Sequence, residues 1–402
     1  MKVLFDHQIF FQNRFGGISK IFLETIRRLK ELNINFDTSV SVEDYAKGIL
    51  RDPISRNQVN LPGFFSIFTI YRWICFVFVF FRQPIPEFFT KRESGILKRS
   101  LRNQIENLNS NVNESLVNNK YSVFHPTYFQ SYYLPSLEAS RTKMVITVYD
   151  CVHELFPEYY GSSNFILKNR KDLCEAAAHI ICISETTKKD LLKLYQNIPE
   201  KKVSVVYLAG DLSREQRTSR SLPFEDYILF VGNRADYKNF KLLLDAFYQL
   251  SKSRKIHLVC AGGGKFSSSE KKWIQKYKLN EWVHQVSFTS ESSLANFYEN
   301  AKLFVYPSLY EGFGIPLLEA MSVGCPVLCS GIDVFHEVTG DAAAFFDPQD
   351  IFDLESKLLE LIDSGKTRNE LVQKGYKQVK KFSWDQCADE HIRIYQMLSE
   401  GL

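Results

Sequence analysis

Short apolar runs alternate with longer amphipathic segments along most of this chain, and that alternation limits its fold more than any other feature. Runs rich in β-branched and aromatic residues that end in polar or glycine-containing sequence are typical of buried parallel strands. We predict such strands at residues 2–5, 144–148, 180–183, 227–231, 257–261, 303–306 and 327–329. Helices between them would build parallel α/β sheets, which place ligands at the carboxyl ends of their strands.

The segments between these runs carry apolar side chains three or four positions apart, which predicts helices. The predicted helices lie at 18–32, 97–116, 240–250 and 354–362. A polar stretch at 211–223 interrupts the alternation and is predicted to be a linker. The fold class predicted from this pattern is α/β, with domains at 1–210 and 224–382 and a ligand-binding cleft between them.

Composition narrows the functional classes. The 402 residues suffice for two domains, and a net charge of +4 is too small for a nucleic-acid-binding surface. The eight cysteines are scattered, without zinc-ligand spacing, and are predicted to be free thiols. Asp6 interrupts the first apolar run after three residues, whereas a signal peptide needs about 7–15, so we expect a cytoplasmic protein.

A phenylalanine-rich segment at 64–82 has two open interpretations. It fits a buried helix of a large core and equally a surface that docks on lipid. A membrane-spanning helix is disfavoured because Arg72 lies near the centre of the segment, where a charge costs about 2.5–3.5 kcal/mol. The segment therefore makes peripheral contact with a membrane a hypothesis.

The run E-G-F-G-I-P-L-L-E follows a predicted strand and begins at Glu311. Gly312 and Gly314 leave the backbone bare just before a predicted helix, where unpaired N–H groups attract phosphate oxygens. Glu319 lies about one turn into that helix, and a carboxylate accepts two hydrogen bonds from a ribose or sugar diol. A glycine turn followed by an acidic first helical turn explains the same run without a ligand.

Two basic residues follow the predicted strand at 227–231. Arg234 and Lys238 would neutralise a diphosphate, a task otherwise performed by a metal held by carboxylates. The chain contains no Asp-x-Asp, which favours the basic pair and a site without metal. Their alternative role is that of solvated surface charges.

Two further segments carry polar groups beside predicted strand ends. Gly16 and Gly17 lie after the first strand, and such a glycine pair is more often a simple turn than a phosphate loop. Asp150 and His153 follow the strand at 144–148, and His153 could hydrogen-bond a sugar hydroxyl or serve only structure. The glycines at 262–264 are either a loop near a nucleotide base or no site.

The run from Glu311 to Glu319 resembles the E-x7-E element of retaining GT-B glycosyltransferases of family 4. The N-terminal Gly-Gly, the G-N-R-x-x-x-K stretch, A-M-S-V-G-C-P-V and the closing F-S-W-D also match that family in order. This resemblance covers essentially the whole chain. It implies two Rossmann-like domains whose parallel sheets face a central cleft, and a final helix within 383–402 that crosses back to the first domain.

The resemblance also implies a role for each matching residue. Arg234 and Lys238 would bind the donor diphosphate together with the backbone of Gly312, Phe313 and Gly314. Glu319 would bind the ribose, and Glu311 would lie beside the donor sugar. Gly16 and Gly17 would close over the phosphates from the other domain. Many family members have His-Asp where this chain has Tyr149 and Asp150, so the histidine role would pass to His153 or be absent.

The expected function is transfer of a hexose, with mannose as one candidate, from a nucleoside diphosphate sugar with retention of anomeric configuration. The acceptor would be a saccharide, plausibly lipid-linked, in surface polysaccharide or lipopolysaccharide synthesis. No cofactor, metal or nucleic acid is expected, and association with the cytoplasmic face of a membrane is suggested by segment 64–82. A non-catalytic sugar-nucleotide-binding scaffold, a nucleotide-sugar epimerase and a phosphorylase remain alternatives, because related folds host them.

Overall fold

The computed structural model describes residues 1–12, 17–40, 102–103, 105–159, 165–212, 223–288 and 290–401. The phenylalanine-rich segment 64–82, Gly16 and most of the predicted linker lie outside these described residues. Seven cysteines fall inside them, and all seven are free and buried, as the scattered spacing predicts.

The first sheet consists of six parallel strands in the order β2-β1-β3-β4-β5-β6. Its strands are β1 Lys2–Phe5, β2 Asn35–Thr38, β3 Val123–His125, β4 Lys143–Val148, β5 His179–Cys182 and β6 Val203–Val205. Val3 of β1 lies opposite Phe36 of β2 on one side and Val123 of β3 on the other. Chain order therefore reverses between β1 and β3, which is the topological switch point of this sheet.

The second sheet is also parallel and six-stranded, in the order β12-β11-β10-β7-β8-β9. Its strands are β7 Tyr227–Val231, β8 His257–Ala261, β9 Val283–Val286, β10 Leu303–Tyr306, β11 Val327–Ser330 and β12 Ala344–Phe346. Leu303 of β10 lies opposite Ile228 of β7, while Tyr227 at the other edge of β7 lies opposite His257 of β8. The switch point of this sheet is between β7 and β10.

Helices connect the strands at the predicted places. The described α-helices are Gln8–Gln12, Gly17–Glu31, 105–117, Leu134–Glu138, Val152–Leu155, Phe165–Ala176, Glu185–Leu194, Phe240–Ser251, Ser268–Lys276, Glu291–Asn300, Ile315–Ser322, Asp333–Thr339, Ile351–Asp363, Gly365–Gln378 and Trp384–Glu400. Short 3₁₀ turns occur at Pro157–Tyr159, Glu200–Lys202, Asp236–Lys238 and Val379–Lys381. Among these described helices, none has the length and apolar character needed to cross a bilayer.

Contact density divides the chain into two compact units. The first comprises Met1–Ile146, Ala176–Ala178 and Arg393–Leu402, and the second comprises Thr147–Glu175 and His179–Ile392. In the second unit, Phe230, Phe247 and Leu258 are fully buried in a core that packs β7 and β8 against the helices Phe240–Ser251 and Ile351–Asp363. Burial of such side chains contributes about 1.5–3 kcal/mol each and fixes the strand ends that carry the candidate site.

Candidate active site

The candidate site lies at the carboxyl edge of the second sheet, around its switch point. Arg234 and Lys238 follow β7, and Glu311 and the glycines after it follow β10. Since β7 and β10 are hydrogen-bonded neighbours, two segments about seventy residues apart reach the same edge. Parallel α/β sheets bind ligands at this kind of position.

Lys238 and Glu311 form the central ion pair of this site. The Lys238 Nζ atom lies 2.5 Å from Glu311 Oε1, and each side chain is 12% exposed. Ser308 Oγ also donates to Glu311 Oε1 at 2.7 Å, and Lys238 Nζ lies 3.3 Å from the Tyr306 hydroxyl. Burial, and then the Glu311 charge, raise the pKa of Tyr306 well above its usual range, so this hydroxyl stays protonated. The Glu311 carboxylate is thereby fixed in orientation, with a cation beside it.

Arg234 organises the glycine loop that follows β8. Its Nε donates to Glu270 Oε1 at 2.7 Å, and the side chain is 4% exposed. Its two terminal nitrogens donate to the carbonyl groups of Gly262, Gly263, Gly264 and Lys265 at 2.9–3.3 Å. These glycines have φ values of +84°, +65° and +70°, a region that side chains with a Cβ rarely adopt. Arg234, which is predicted to bind phosphate, therefore also holds a loop whose conformation only glycine adopts readily.

Gly312 and Gly314 shape the turn that leads into the helix Ile315–Ser322. A Cβ on Gly312 would lie 1.7 Å from the Tyr149 carbonyl oxygen, so the close approach of these two backbones requires glycine. Gly314 has a φ of +102° and directly precedes the helix, with Pro316 in its first turn. The first N–H groups of a helix have no intrahelical partner, which suits this turn to an anion. Phe313 between the glycines is buried and packs near Tyr207.

Glu319 lies in the same helix, where the resemblance places the ribose contact. The hydroxyl of the fully buried Tyr298 donates to Glu319 Oε2 at 3.2 Å. Burial, and then the Glu319 charge, raise the pKa of Tyr298 well above its usual range. The Tyr298 hydroxyl, which lies on the helix Glu291–Asn300, therefore stays protonated and orients one carboxylate oxygen of Glu319.

Asp150 and His153 follow Tyr149 in the chain, and the Tyr149 carbonyl faces Gly312. This backbone contact joins their segment to the glycine turn after β10. The Asp150 side chain is 34% exposed and accepts the N–H of Val152 at 3.1 Å. His153 lies in the short helix Val152–Leu155. Burial lowers the pKa of His153, opposed by Asp150 and reinforced by Arg170, which favours a neutral imidazole at pH 7.

Sequence reasoning did not identify Arg170, which binds residues 149–154, here called the Asp150 segment. Its side chain is 2% exposed and donates from one terminal nitrogen to the Asp150 carbonyl at 2.6 Å and to Glu154 Oε2 at 2.7 Å. Burial lowers its pKa, but Asp150 and Glu154 outweigh that effect and raise it. An arginine in an amphipathic helix usually indicates a solvated face, so no local signal pointed to this buried position.

Comparison with protein families places the chain among known enzymes. Residues 213–378 match the model described as Glycosyl transferases group 1, and residues 75–214 match the model described as Glycosyltransferase Family 4. The chain belongs to glycosyltransferase family 4. The family predicted from the E-x7-E run is thereby confirmed.

Individual relatives of this glycosyltransferase agree with the family match. The O-antigen chain mannosyltransferase B of Escherichia coli is 28% identical over 67% of this chain and 73% of its own length. The O-antigen chain mannosyltransferase RfbU of Salmonella typhimurium is 32% identical over 50% of this chain and 56% of its own length. The aligned region thus omits a quarter or more of each relative.

A solved structure supports the fold of this glycosyltransferase. Sucrose-phosphate synthase from Thermosynechococcus elongatus superimposes with a TM-score of 0.71 at 16% identity, covering 100% of both chains. At that identity the likeness concerns the fold alone. The predicted GT-B architecture of two parallel α/β sheets is confirmed.

The remaining predicted donor-binding residues of this glycosyltransferase lie in its first unit. Gly17 is the first residue of the helix Gly17–Glu31, so the predicted glycine loop ends one residue earlier than expected. Gly16 lies outside the described residues. Within the ranges that the structure describes, no three His, Cys, Asp or Glu side chains are grouped closely enough to hold a metal ion.

Proposed function

We propose that this chain transfers a hexosyl residue, with mannose as the first candidate, from a nucleoside diphosphate sugar to a saccharide in O-antigen synthesis. The names of its two O-antigen mannosyltransferase relatives support the sugar and the pathway class. A single structural observation carries the assignment to this site: the Lys238–Glu311 pair and the bare turn at Gly312 and Gly314 flank one switch point.

The proposed chemistry begins with binding of the donor diphosphate. Lys238 and the N–H groups at the start of the helix Ile315–Ser322 provide positive charge at one place, where charge develops as the diphosphate departs. Arg234 also follows β7 and holds the glycine loop after the neighbouring strand β8. Glu319 would accept hydrogen bonds from the ribose, and its Tyr298 partner fixes its direction.

Glu311 would orient the donor sugar while the bond to the diphosphate breaks. In a retaining transfer, the acceptor hydroxyl attacks on the face that the diphosphate leaves, and the departing phosphate accepts the acceptor's proton. Asp150 and the neutral His153 would hydrogen-bond sugar hydroxyls from the segment that contacts Gly312. These assignments use side-chain charges of the protein, and the proposal includes neither a cofactor nor a metal ion.

We further propose that the acceptor is lipid-linked and reached at the cytoplasmic face of a membrane. The apolar sequence at 64–82 and the basic residues that follow it are suited to an anionic lipid surface. Deletion of 64–82 should lower binding to vesicles that contain anionic lipid. Equal binding of the deletion variant and the full chain would contradict the membrane part of the proposal.

The first test is a panel of GDP-mannose, GDP-glucose, UDP-glucose, UDP-GlcNAc and dTDP-glucose, measured by thermal shift and by slow hydrolysis. One donor should raise the melting temperature by mass action and be hydrolysed equally with and without EDTA. Lys238→Met should slow this hydrolysis about 10²-fold. No response to any donor would contradict the proposal, and stabilisation without hydrolysis or transfer to any saccharide would favour a sugar-nucleotide-binding scaffold.

A further inference from the structure

Tyr310, the residue before Glu311, hydrogen-bonds two other segments of the second unit. Its hydroxyl donates to Asp190 Oδ2 at 2.9 Å, and it accepts the backbone N–H of Cys151 at 3.0 Å. Burial, reinforced by the charges around it, raises the pKa of Tyr310 far above its usual range. The hydroxyl therefore remains protonated at neutral pH and makes both hydrogen bonds at once.

The neighbouring Gly312 is fixed to the same two segments. Its carbonyl accepts Ser184 Oγ at 2.7 Å and Thr187 Oγ1 at 3.1 Å, from the start of the helix that carries Asp190. On its other side, Gly312 touches the Tyr149 carbonyl. Residues 310–312 therefore contact both the Asp150 segment and the helix Glu185–Leu194.

The Asp150 segment is held from its opposite side by buried charge. Arg170 binds the Asp150 carbonyl and the Glu154 carboxylate, and the Tyr195 hydroxyl donates to Glu154 Oε1 at 2.8 Å. Because a buried guanidinium with these partners resists displacement, the segment has one rigid support. The Tyr310 hydroxyl therefore links this rigid segment to the residue before Glu311, while Gly312 contacts Tyr149 on the other side of Glu311.

We propose that Tyr310 is a positioning residue, which sets the distance between Glu311 and the Asp150–His153 segment during sugar transfer. This inference rests on the proposed function, in which Glu311 orients the donor sugar and Asp150 and His153 hydrogen-bond sugar hydroxyls. In this role Tyr310 acts through its two hydrogen bonds. Misplacement of reacting groups by about 1 Å can cost about 10²-fold in rate, so the loss of one hydroxyl should be visible in turnover.

Tyr310→Phe tests this inference, since it removes the hydroxyl and keeps the ring that packs 5.7 Å from Phe156. We expect its kcat to fall about tenfold or more, with the donor Kd changed less than about twofold. Tyr227→Phe is the matched control, because the buried Tyr227 hydroxyl donates to the Phe297 carbonyl at 2.6 Å, away from the site. The control should keep the kcat of the unaltered enzyme.

Substitution at Asp190 separates the hydrogen bond from general stability. Asp190→Asn keeps an oxygen that accepts the Tyr310 hydroxyl and should retain kcat within about threefold. Asp190→Ala removes one of the two hydrogen bonds of Tyr310, so its kcat should fall, but by less than that of Tyr310→Phe, which removes both. The double variant with Tyr310→Phe and Asp190→Ala should be no slower than Tyr310→Phe alone, because Tyr310→Phe already removes the contact with Asp190.

Three results would overturn the inference: a Tyr310→Phe kcat equal to that of Tyr227→Phe, an equal fall in kcat and donor affinity, or full activity of Asp190→Ala. Failure of the proposed function looks different, since the unaltered chain would then hydrolyse no sugar nucleotide in the panel. In that case, coupling between Tyr310 and Asp190 in urea unfolding still measures their contact without any turnover.

Discussion

The switch points of the two sheets are occupied by different kinds of residues. In the first sheet, the position between β1 and β3 is filled by the protein's own side chains. Asp6, which follows β1, accepts the N–H and the hydroxyl of Thr127, which lies beyond the end of β3, at 2.8 and 2.7 Å. Gln8 and Tyr132 donate to its other oxygen, and Asp6 is fully buried.

In the second sheet, the position between β7 and β10 is lined by glycine turns and by the Lys238–Glu311 pair. Side chains whose hydrogen bonds are all made within the protein leave no donor for a ligand, whereas the N–H groups of a glycine turn before a helix do. The comparison shows that the switch point is closed by a network of buried side chains in the first sheet and is a candidate binding edge in the second. The residues placed at the strand ends decide which one forms.

The largest expected effect comes from filling the binding edge. Gly312→Ala places a methyl group 1.7 Å from the Tyr149 carbonyl oxygen, so one of the two backbones must move. Turnover should fall below detection, because Glu311 moves with Gly312. Gly365→Ala is the control, since a Cβ there meets only Arg368 at 3.8 Å. Measurable turnover of Gly312→Ala would show that the edge tolerates a side chain.

Removal of the fixed cation should have the next largest effect. Lys238→Met keeps most of the side-chain volume and removes the charge, so kcat should fall about 10²-fold through loss of diphosphate stabilisation. Lys241→Met, at a side chain that is 80% exposed, should leave kcat unchanged. Steady-state kinetics with the preferred donor measure both, and equal rates for the two variants would remove Lys238 from the mechanism.

A substitution in the buried Asp6 network of the first sheet should lower the stability of the protein and leave donor binding unchanged. Asp6→Asn turns one acceptor into a donor that faces Gln8, Tyr132 or Thr127, which should lower the free energy of unfolding by about 2 kcal/mol. The donor Kd should stay within about twofold. Urea unfolding and donor titration check the pair of expectations, with Asp226→Asn at an exposed ion pair as control. A weaker donor Kd with normal stability would erase the contrast between the sheets.

The smallest effect concerns the glycine loop after β8. Gly264 has a φ of +70° with open space around it, so Gly264→Ala should lower the free energy of unfolding by about 1 kcal/mol from backbone conformation alone. Gly263→Ala should cost more, because its Cβ would also lie 2.5 Å from the Gly232 carbonyl oxygen. Equal costs at the two positions in urea unfolding would mean that the loop moves freely away from Arg234.

Much of the fold follows from local patterns. Strands β1, β7, β8 and β10 have the predicted bounds, β4 and β11 are one residue longer than predicted, and β5 is shifted by one residue. The strands that the sequence did not predict, β2, β3, β6, β9 and β12, have three or four residues each. Strands this short contain too few residues to show an alternation of apolar and polar side chains. Four of them, β2, β6, β9 and β12, also lie at sheet edges, where side chains such as those at 284–286 are only partly buried.

The site is less accessible to sequence reasoning. The positions of Glu311, Gly312 and Lys238 were predicted because each belongs to a motif at a strand end. The partners that hold such groups, including Glu270 for Arg234 and Asp190 for Tyr310, lie many residues away and belong to ordinary amphipathic helices. Pairing of that kind is set by tertiary packing, which no local spacing encodes.

The contact between Tyr310 and Cys151 also has a consequence for synthesis of the chain. These residues are 159 positions apart, so Cys151 leaves the ribosome long before its partner exists. At about 5–20 residues per second, the interval is about 8–30 s. Throughout that time, the Asp150 segment can make its contacts with Arg170, Glu154 and Tyr195, but not the hydrogen bond to Tyr310. The nascent chain therefore completes this part of the enzyme late, after closure of a long loop that carries an entropy cost.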